Sequence, residues 1–170
     1  MKVLNAFHDN EISESHLGGT TGYGYNDYGR DAVECVFASV FKTEDALVRS
    51  QLISGTHALT VTMAACLRPG DTMLSISGKP YDTLDKVIGL VQSPSSLMSY
   101  GIKYEQIDLV NNDFDKDRIY KALLEKQIKL ITIQRSKGYS TRESISIDKI
   151  AKIIEDIYIV NATNEMYMRL

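Results

Sequence analysis

The stretch that decides the fold runs from Arg68 to Thr83 and reads Arg-Pro-Gly-Asp-Thr-Met-Leu-Ser-Ile-Ser-Gly-Lys-Pro-Tyr-Asp-Thr. The segment Arg68-Pro69-Gly70-Asp71 ends a helix and turns the chain into a strand, because proline and glycine interrupt helical hydrogen bonding. Thr72 to Ser77 is a short apolar run typical of a buried strand. Gly78 and Lys79 then turn the chain toward another helix. This order of helix, turn, strand and turn predicts one unit of an α/β fold.

The same alternation recurs along the chain at about 25 to 30 residues per unit, the rhythm of strand-helix-strand crossovers. Five strands are predicted, at Ala46 to Ile53, Thr72 to Ser77, Lys103 to Leu109, Lys129 to Gln134 and Ile157 to Val160. Helices are predicted between them at Thr56 to Leu67, Tyr81 to Val91, Lys116 to Lys126 and Ile147 to Asp156. A mainly parallel sheet follows, and such sheets bind ligands beyond the carboxyl ends of their strands.

The first 31 residues differ from the rest of the chain. Their sequence has little periodicity and is rich in glycine, tyrosine, aspartate and asparagine, so we expect an N-terminal arm or loop at residues 1–31. From Ala32 the apolar residues fall at helical spacing, with Asp31 as the expected cap. Residues 32–170 are therefore assigned to a separate large domain.

Composition excludes several classes of protein. With 170 residues, 44% of them hydrophobic and 24% charged, the chain is long and apolar enough for a core without metals or disulfides. A net charge of -3 argues against nucleic acid or an anionic membrane as the main partner. Cys35 and Cys66 have neither disulfide-framework nor zinc-ligand spacing, so we expect buried thiols in a reducing compartment, the cytoplasm. No stretch resembles a secretory signal or a membrane span.

A candidate anion site follows the first predicted strand, where Ser54, Gly55, Thr56 and His57 open directly into a helix. Glycine lets a ligand approach the backbone, the two hydroxyls can donate hydrogen bonds, and the amides at a helix start favour an anion. The segment therefore indicates a phosphate site. A turn that only caps the helix explains the same residues, and a lone histidine such as His57 more often has a structural role.

Two further segments follow predicted strands. Tyr81 could stack on a flat ligand, although an ordinary interface tyrosine is the simpler interpretation. Residues 135–142 carry three cations and four hydroxyls, which suit a phosphate or carboxylate but equally a solvated basic loop. The sequence has neither a Walker loop nor a dinucleotide-binding glycine fingerprint, which argues against nucleotide hydrolysis and NAD chemistry.

Six segments taken together resemble one family. They are residues 22–31 (Gly-Tyr-Gly-Tyr-Asn-Asp-Tyr-Gly-Arg-Asp), 46–51 (Ala-Leu-Val-Arg-Ser-Gln), 54–58 (Ser-Gly-Thr-His-Ala), 67–71 (Leu-Arg-Pro-Gly-Asp), 77–84 (Ser-Gly-Lys-Pro-Tyr-Asp-Thr-Leu) and 134–140 (Gln-Arg-Ser-Lys-Gly-Tyr-Ser). In this order they resemble the aluminium-resistance branch of the cystathionine beta-lyase and methionine gamma-lyase group, from the N-terminus through Asp156. The resemblance implies a pyridoxal 5'-phosphate (PLP) enzyme and a partial three-layer sandwich, the N-terminal part of the fold-type I large domain.

The resemblance also implies roles for residues. Ser54, Gly55 and Thr56 would hold the cofactor phosphate, with His57 beside them at the helix start. Tyr81 would stack on the pyridine ring. Tyr28 and Arg30 would belong to an arm that reaches the phosphate of a neighbouring subunit. The resemblance therefore implies a homodimer or larger homo-oligomer, with PLP as the cofactor.

Two parts of the family pattern are not found in this sequence. A carboxylate must pair with the pyridine nitrogen and a lysine must form the Schiff base. The carboxylate would end the strand after Asp156, where this sequence has Asn161, whose amide carries no charge. The family's lysine comes later than any matching segment, and Lys137 is a poor substitute because the family has that lysine as well. We therefore assign no catalytic residue, and no metal ligand.

Two hypotheses follow. The chain is a truncated PLP-dependent carbon-sulfur lyase-like protein that carries the phosphate cradle but lacks the Schiff-base lysine, and is inactive alone. Alternatively, it is a non-enzymatic remnant that binds a phosphorylated small molecule or acts only through subunit association. In the family the partner would be a small amino-acid substrate, for example a derivative of cysteine, cystathionine or methionine; no nucleic acid or membrane partner is expected.

Overall fold

The computed structural model describes the backbone of residues 1–20 and 27–168, and the side chains of these residues up to Ala162. The helices are α1 (Lys2–Asp9), α2 (Tyr28–Phe41), α3 (Gly55–Cys66), α4 (Asp85–Ile88), α5 (Lys116–Glu125) and α6 (Ile147–Met168). The strands are β1 (Thr72–Ser75), β2 (Lys103–Gln106) and β3 (Ile128–Thr132), and short 3-10 helices lie at Glu14–Leu17, Asp82–Leu84 and Met98–Tyr100. The chain forms two compact units, Met1–Gly55 and Thr56–Leu170.

In the first unit, α1 and the 3-10 helix at Glu14–Leu17 pack against α2. The cap of α2 is Asp27, whose carboxylate accepts a hydrogen bond from the Arg30 amide at 3.3 Å, so the predicted cap Asp31 is wrong. The helix starts one turn earlier than expected because Asp27 satisfies its first amides. Much of the predicted arm is therefore helical, while its residues 21–26 lie outside the described part of the chain.

The second unit is built on a parallel sheet with the strand order β2-β1-β3. Thr72 of β1 is opposite Lys103 of β2, and Leu74 of β1 is opposite Ile131 of β3. All four residues of β1 are buried, which is expected for the central strand of a sheet covered on both faces. The predicted α/β class and parallel sheet are confirmed.

Side chains alternate across β1 and supply two apolar cores. Leu74 is fully buried on one face and packs in a cluster with residues of α5 and α6, including Ile119 and Ile153. Met73 points to the other face and packs with Met63 of α3 and Ile88 of α4. Helices thus cover both faces of the sheet, so this unit has three layers.

The predicted elements agree with the structure over most of the second unit. The strands expected at 72–77, 103–109 and 129–134 are present as β1, β2 and β3, and the helices expected at 56–67, 116–126 and 147–156 as α3, α5 and α6. The helix expected at 81–91 is divided into the 3-10 helix Asp82–Leu84 and the single turn α4, which ends at Gly89 with φ of 112°. Glycine adopts this backbone angle without the strain a side chain would add.

Two predicted strands are wrong. Residues 46–53, all within the described part of the chain, contain no strand, because the Val48 amide donates to the Glu34 carboxylate at 2.8 Å and the Leu52 amide donates to the Arg49 carbonyl at 3.1 Å. These amides therefore cannot donate hydrogen bonds to a neighbouring strand. Residues 157–160 continue α6, because Ile157 is buried one turn after Ile153 and extends the helical apolar stripe.

The expectation of buried thiols is also wrong. Cys35 on α2 and Cys66 at the end of α3 are both exposed, unbonded cysteines. Among the described residues, no helix is long and apolar enough to cross a membrane. The same residues contain no group of three histidine, cysteine, aspartate or glutamate side chains that could hold a metal ion.

Candidate functional site

The carboxyl ends of β1, β2 and β3 open into a cavity of about 400 Å³ in the second unit. Its walls are the segments that follow the strands: residues 77–82 after β1, Asp108, Leu109 and Asn112 after β2, and residues 134–142 after β3. Parallel strands present their carboxyl ends at one edge, so the segments that follow them meet there. The cavity is therefore in the place that the sequence analysis predicted.

The wall after β1 is fixed by short polar contacts. The buried Ser77 hydroxyl accepts a hydrogen bond from the Gln134 amide at 2.7 Å, which joins the segments after β1 and β3. The Ser75 hydroxyl donates to the Gly78 carbonyl at 2.6 Å. Gly78 has φ of 85°, and a side chain there would begin 3.3 Å from an Asp108 carboxylate oxygen. This wall of the cavity is thus held in place by backbone and hydroxyl contacts.

Arg142 holds the loop after β3. Its guanidinium donates to the carbonyls of Ser136 at 2.7 Å, Glu143 at 2.8 Å and Gln134 at 2.9 Å. The predicted basic cluster therefore has divided roles: the Arg142 cation binds its own loop, whereas the side chains of Arg135 and Lys137 are exposed. A guanidinium whose N–H groups already donate to backbone carbonyls stabilises its loop and has fewer donors left for an anion.

Tyr81 lies on the cavity wall with its ring against Tyr139, the ring centroids being 5.8 Å apart and the planes inclined by 35°. Tilted rings at this separation attract each other. A hydrogen bond with Tyr139 raises the pKa of Tyr81, with smaller contributions from the charge of Tyr139, from burial and from the Asp82 carboxylate. The Tyr81 hydroxyl therefore stays protonated at neutral pH.

The start of α3 is joined to the segment that follows Tyr81. The hydroxyl of Thr56, in the first turn of α3, donates to the hydroxyl of Thr83 at 2.9 Å. Each hydroxyl has one hydrogen to donate, so this bond leaves the Thr83 hydroxyl with its own hydrogen for another acceptor. The amides in the first turn of an α-helix lack intrahelical acceptors and favour anions. The Thr83 hydroxyl, two residues after Tyr81 in the sequence, is thus in contact with the start of α3.

The remaining predicted site residues are distributed over both units. His57 is half-buried in the second unit. Ser54 and Gly55 are exposed at the end of the first unit, and a Cβ on Gly55 would meet no atom within 4 Å. Tyr28 and Arg30 belong to the first unit, where Tyr28 is exposed and the Arg30 guanidinium pairs with the Asp27 carboxylate at 3.3 Å. The structure brings together Thr56 and the Tyr81 segment.

Ser77, Asp108 and Gly138 line the cavity and Thr83 contacts Thr56, but no individual role was predicted for them, and Tyr139 was predicted only as one hydroxyl of the basic cluster. Asp108 had a signal, because it is a carboxylate at the end of a predicted strand in a parallel sheet. Thr83 and Ser77 had only a weak one, as hydroxyls next to a turn. The partners of Gly138 and Tyr139 are far away in the sequence, so spacing alone could not reveal them.

The first unit contains a different kind of cavity. It has a volume of about 420 Å³ and is lined almost entirely by apolar side chains of α1 and α2 and the 3-10 helix between them, with Phe7, Val33 and Phe37 among them. Such a groove offers little that could orient a polar ligand. The polar cavity of the second unit is therefore the candidate site.

A parallel α/β unit with a polar and aromatic cavity beyond its strand ends is typical of proteins that bind a small organic ligand or cofactor. The family model described as methionine gamma-lyase matches residues 1–168, and the chain belongs to this family. The resemblance found in the sequence motifs is thereby confirmed at the level of the family.

Individual relatives agree. The chain is 42% identical over 163 residues to the uncharacterised protein YnbB of Bacillus subtilis, covering 94% of this chain and 38% of YnbB. A structure from Clostridium acetobutylicum, provisionally described as a cystathionine beta-lyase involved in aluminium resistance, is 47% identical with a TM-score of 0.90. That match covers 94% of this chain and 39% of the other.

A third relative is described as a carbon-sulfur lyase involved in aluminium resistance, from Clostridium novyi. It is 44% identical with a TM-score of 0.89, and the match covers 95% of this chain and 39% of that one. The chain thus spans about two-fifths of the length of the relatives it matches.

Proposed function

We propose that the chain carries the phosphate-binding and ring-stacking contacts of a PLP site, of the kind used by carbon-sulfur lyases of the cystathionine beta-lyase type. The observation that carries the proposal is the hydrogen bond between Thr56 and Thr83, because it places the anion-favouring start of α3 beside the turn that presents Tyr81. Membership of the methionine gamma-lyase family supports the same cofactor.

The start of α3 fits the phosphate of this cofactor. The first-turn amides and the remaining hydrogen of the Thr83 hydroxyl, which accepts its hydrogen bond from Thr56, are donors suited to an anion. Space above Gly55 is open, so a phosphate can approach the backbone where a side chain would otherwise stand. In the proposal Ser54, Gly55 and Thr56 hold the phosphate, and His57 lies beside it at the helix start.

The cavity wall fits the ring. Tyr81 is an aromatic side chain on a cavity of about 400 Å³, within the size range of small-molecule sites. Its hydroxyl stays neutral, so no charge opposes stacking. When bound, PLP supplies an electron sink for the substrate carbon whose bond is cut. The residues described here bind and orient the cofactor.

The proposal assigns no residue of this chain to two elements of the family site, the carboxylate and the lysine. Asn161, in the position of the carboxylate that would pair with the pyridine nitrogen, is an exposed amide on α6. We assign no cofactor-linking lysine, so the binding we propose is reversible and no catalytic residue is named. The roles of Tyr28 and Arg30 toward a neighbouring subunit, the homo-oligomer, the truncation and the amino-acid substrate stay predictions.

The proposal is tested with 4-deoxypyridoxine 5-phosphate, which has the ring and phosphate of PLP but lacks the aldehyde that would modify exposed lysines. Equilibrium dialysis compares it with deoxypyridoxine and with inorganic phosphate. We expect saturable binding of the phosphorylated ring and much weaker binding of either part alone. Absence of saturable binding contradicts the proposal, and equal binding of ringless phosphate compounds favours the alternative of a non-enzymatic phosphate-binding protein.

A matched pair of variants locates the site. Thr56→Val removes the hydroxyl in the first turn of α3, and we expect affinity to fall about three- to tenfold, the effect of losing one hydrogen bond. Thr62→Val makes the same change further along α3, where the hydroxyl contacts the Ala58 carbonyl. It should leave the affinity unchanged.

A further inference from the structure

We propose that Gly138 and Tyr139 form a clamp that fixes the ring of Tyr81, and that Arg142 is the positioning residue that holds this clamp closed. The term clamp is used below for the Gly138-Tyr139 pair. The expected effect of the clamp on ligand affinity rests on the proposed function. The contacts that form the clamp are present in the chain without a ligand. The family resemblance implies a role for Tyr81 but none for Gly138, Tyr139 or Arg142.

The first jaw of the clamp is the backbone of Gly138. A Cβ on this residue would stand 3.1 Å from Cε2 and 3.3 Å from Cδ2 of Tyr81, closer than side-chain carbons normally approach. Gly138 also has φ of 57°, a left-handed conformation that disfavours most side chains. Both the backbone angle and the closeness of the ring therefore favour glycine at this position.

The second jaw is the ring of Tyr139, whose centroid lies 5.8 Å from that of Tyr81. Tyr139 is itself largely exposed, so burial does not explain its place beside Tyr81. The two contacts come from adjacent residues and restrain one ring. Since Tyr81 lines the cavity, restraining its ring defines part of the cavity wall before any ligand enters.

Arg142 keeps the jaws in place because it closes the loop that carries them. Its guanidinium contacts the Gln134 and Ser136 carbonyls, on the other side of Gly138 and Tyr139 in the sequence. The Ile145 amide donates to the Arg135 carbonyl at 3.0 Å and closes the same loop at its base. Side-chain and backbone contacts therefore enclose the clamp from both ends.

The loop is also fixed to the sheet. The backbone N–H of Gln134 donates to the Ser77 hydroxyl at 2.7 Å, and Ser77 is four residues before Tyr81 in the adjoining wall. The clamp and the ring it holds are thus mounted on neighbouring parallel strands. A ring held in this way loses less freedom when a flat ligand stacks on it, which favours binding.

The direct test observes Tyr81 by NMR in the full chain without ligand, with labelled tyrosine and Tyr81→Phe to assign its signal. Arg142→Gln removes the loop contacts, and Arg135→Gln removes the same charge from an exposed side chain in the same loop. We expect Arg142→Gln to shift the Tyr81 ring signals toward random-coil values and to speed its ring flips. Arg135→Gln should leave both unchanged.

A second variant keeps the test decisive if Arg142→Gln also disturbs the fold. Tyr139→Leu deletes one jaw without touching the loop contacts of Arg142, and the methyl signals of buried Ile119 and Ile153 report whether the core is intact. With the core signals unchanged, the Tyr81 signals should shift as in Arg142→Gln. Wild-type Tyr81 signals in both variants would overturn the clamp.

Titration of Tyr81 provides an independent readout. The groups facing its hydroxyl are Tyr139 across the cavity wall and Asp82 on its own segment, while Lys79, Asp108, Lys137 and Arg142 line the same cavity. In Tyr139→Phe the hydrogen bond to Tyr81 is lost while a ring remains, so the Tyr81 pKa should fall. An unchanged pKa would contradict the contact between the two tyrosine hydroxyls, whereas Tyr139→Leu tests the ring contact of the second jaw.

Ligand affinity separates the clamp from the proposed function. Arg142→Gln should weaken binding of 4-deoxypyridoxine 5-phosphate about three- to tenfold, the effect of freeing one ring and its loop. If wild-type chain shows the restrained Tyr81 but binds no such ligand, the clamp stands and the proposed function fails. If wild-type chain binds the ligand but Tyr81 is unrestrained, the clamp fails and the proposed function stands.

Discussion

The hydroxyl oxygens of Thr56 and Thr83 lie 2.9 Å apart, which joins the first turn of α3 to the turn that follows Tyr81. Thr56 lies in α3, and Thr83 lies in the 3-10 helix Asp82–Leu84 that follows Tyr81. The hydrogen bond therefore joins the amide donors at the start of α3 to the segment that carries the Tyr81 ring. Neither residue alone indicates more than an ordinary turn. Their contact is the observation on which the proposed phosphorylated-ring ligand rests.

The first prediction concerns the coupling of these two hydroxyls. Thr56→Val and Thr83→Val should each weaken binding of 4-deoxypyridoxine 5-phosphate about three- to tenfold. Because the hydroxyls bind as one unit, the double variant should be little worse than the weaker-binding single variant. Equilibrium dialysis on the four proteins measures this. Losses that simply multiply would show that the hydroxyls act separately.

The second prediction concerns pH and the contact between α5 and α6. Lys116 Nζ lies 2.5 Å from the Asp156 carboxylate, and hydrogen bonds from Lys116 and then Tyr120 lower the pKa of Asp156 below 3.8. A carboxylate whose pKa is lower in the folded chain than in the unfolded chain stabilises the fold at pH values above its unfolded pKa. This stabilisation is lost as the pH falls through the folded pKa. Unfolding free energy should therefore decrease on acidification below about pH 5.

Urea denaturation between pH 3 and pH 7 checks this dependence. In Asp156→Asn part of the decrease should be absent, because the variant has no carboxylate to protonate there. Glu155→Gln is the matched control, since Glu155 is exposed on the same helix and should keep the wild-type profile. Identical profiles for Asp156→Asn and wild type would contradict the role of the ion pair.

The third prediction concerns the core between the sheet and α6. Ile153 is fully buried, whereas its neighbour Ile154 is 41% exposed. Ile153→Ala should lower the free energy of unfolding by about 2–5 kcal/mol, the cost of removing buried methylene groups and leaving a cavity. Ile154→Ala should cost much less. Urea denaturation measures both, and similar losses would show that α6 is not seated as described.

The fourth prediction concerns the close contact in the first unit. A Cβ on Gly29 would lie 2.5 Å from the His16 carbonyl oxygen, so Gly29→Ala forces the backbone apart. We expect a loss of about 1–3 kcal/mol in the stability of the first unit, as for overpacking. Gly19→Ala is the control, because a Cβ there would meet no atom within 4 Å. Hydrogen exchange of α2 amides measures the change, and equal protection in both variants would refute the contact.

The sequence predicts the second unit well because its periodicities are strong. The run from Thr72 to Ser77 is apolar and bounded by turns, and the structure has β1 there. The stripe of isoleucines from Ile147 onward predicts α6 equally well. In both places local propensity and tertiary packing favour the same structure.

The wrong predictions lie where composition and packing disagree. Residues 157–160 are β-branched or aromatic and favour a strand by composition, but Ile157 completes a helical stripe and its burial decides the outcome. Residues 46–53 resemble a strand in the same way, yet the Glu34 carboxylate takes up the Val48 amide. A side-chain partner from another helix leaves no pattern in the local sequence.

The candidate site shows the same division. Thr56 and Tyr81 are predicted because each follows a predicted strand at a turn into a helix, although the strand predicted before Thr56 is absent from the structure. The clamp could not be found, since its contacts join Tyr81 to residues after another strand. The contact depends on the register between β1 and β3 and on the closure of the loop after β3, and neither can be read from the local sequence.

The measurement that tests the central claim most directly is an NMR titration of the labelled full chain with 4-deoxypyridoxine 5-phosphate. We predict that the backbone amides of Thr56 and His57 and the ring of Tyr81 shift together and saturate at one ligand per chain. Deoxypyridoxine without phosphate should leave the amides at the start of α3 unmoved. Saturating shifts elsewhere, or a Tyr81 ring that does not respond while the amides do, would contradict a shared site for phosphate and ring.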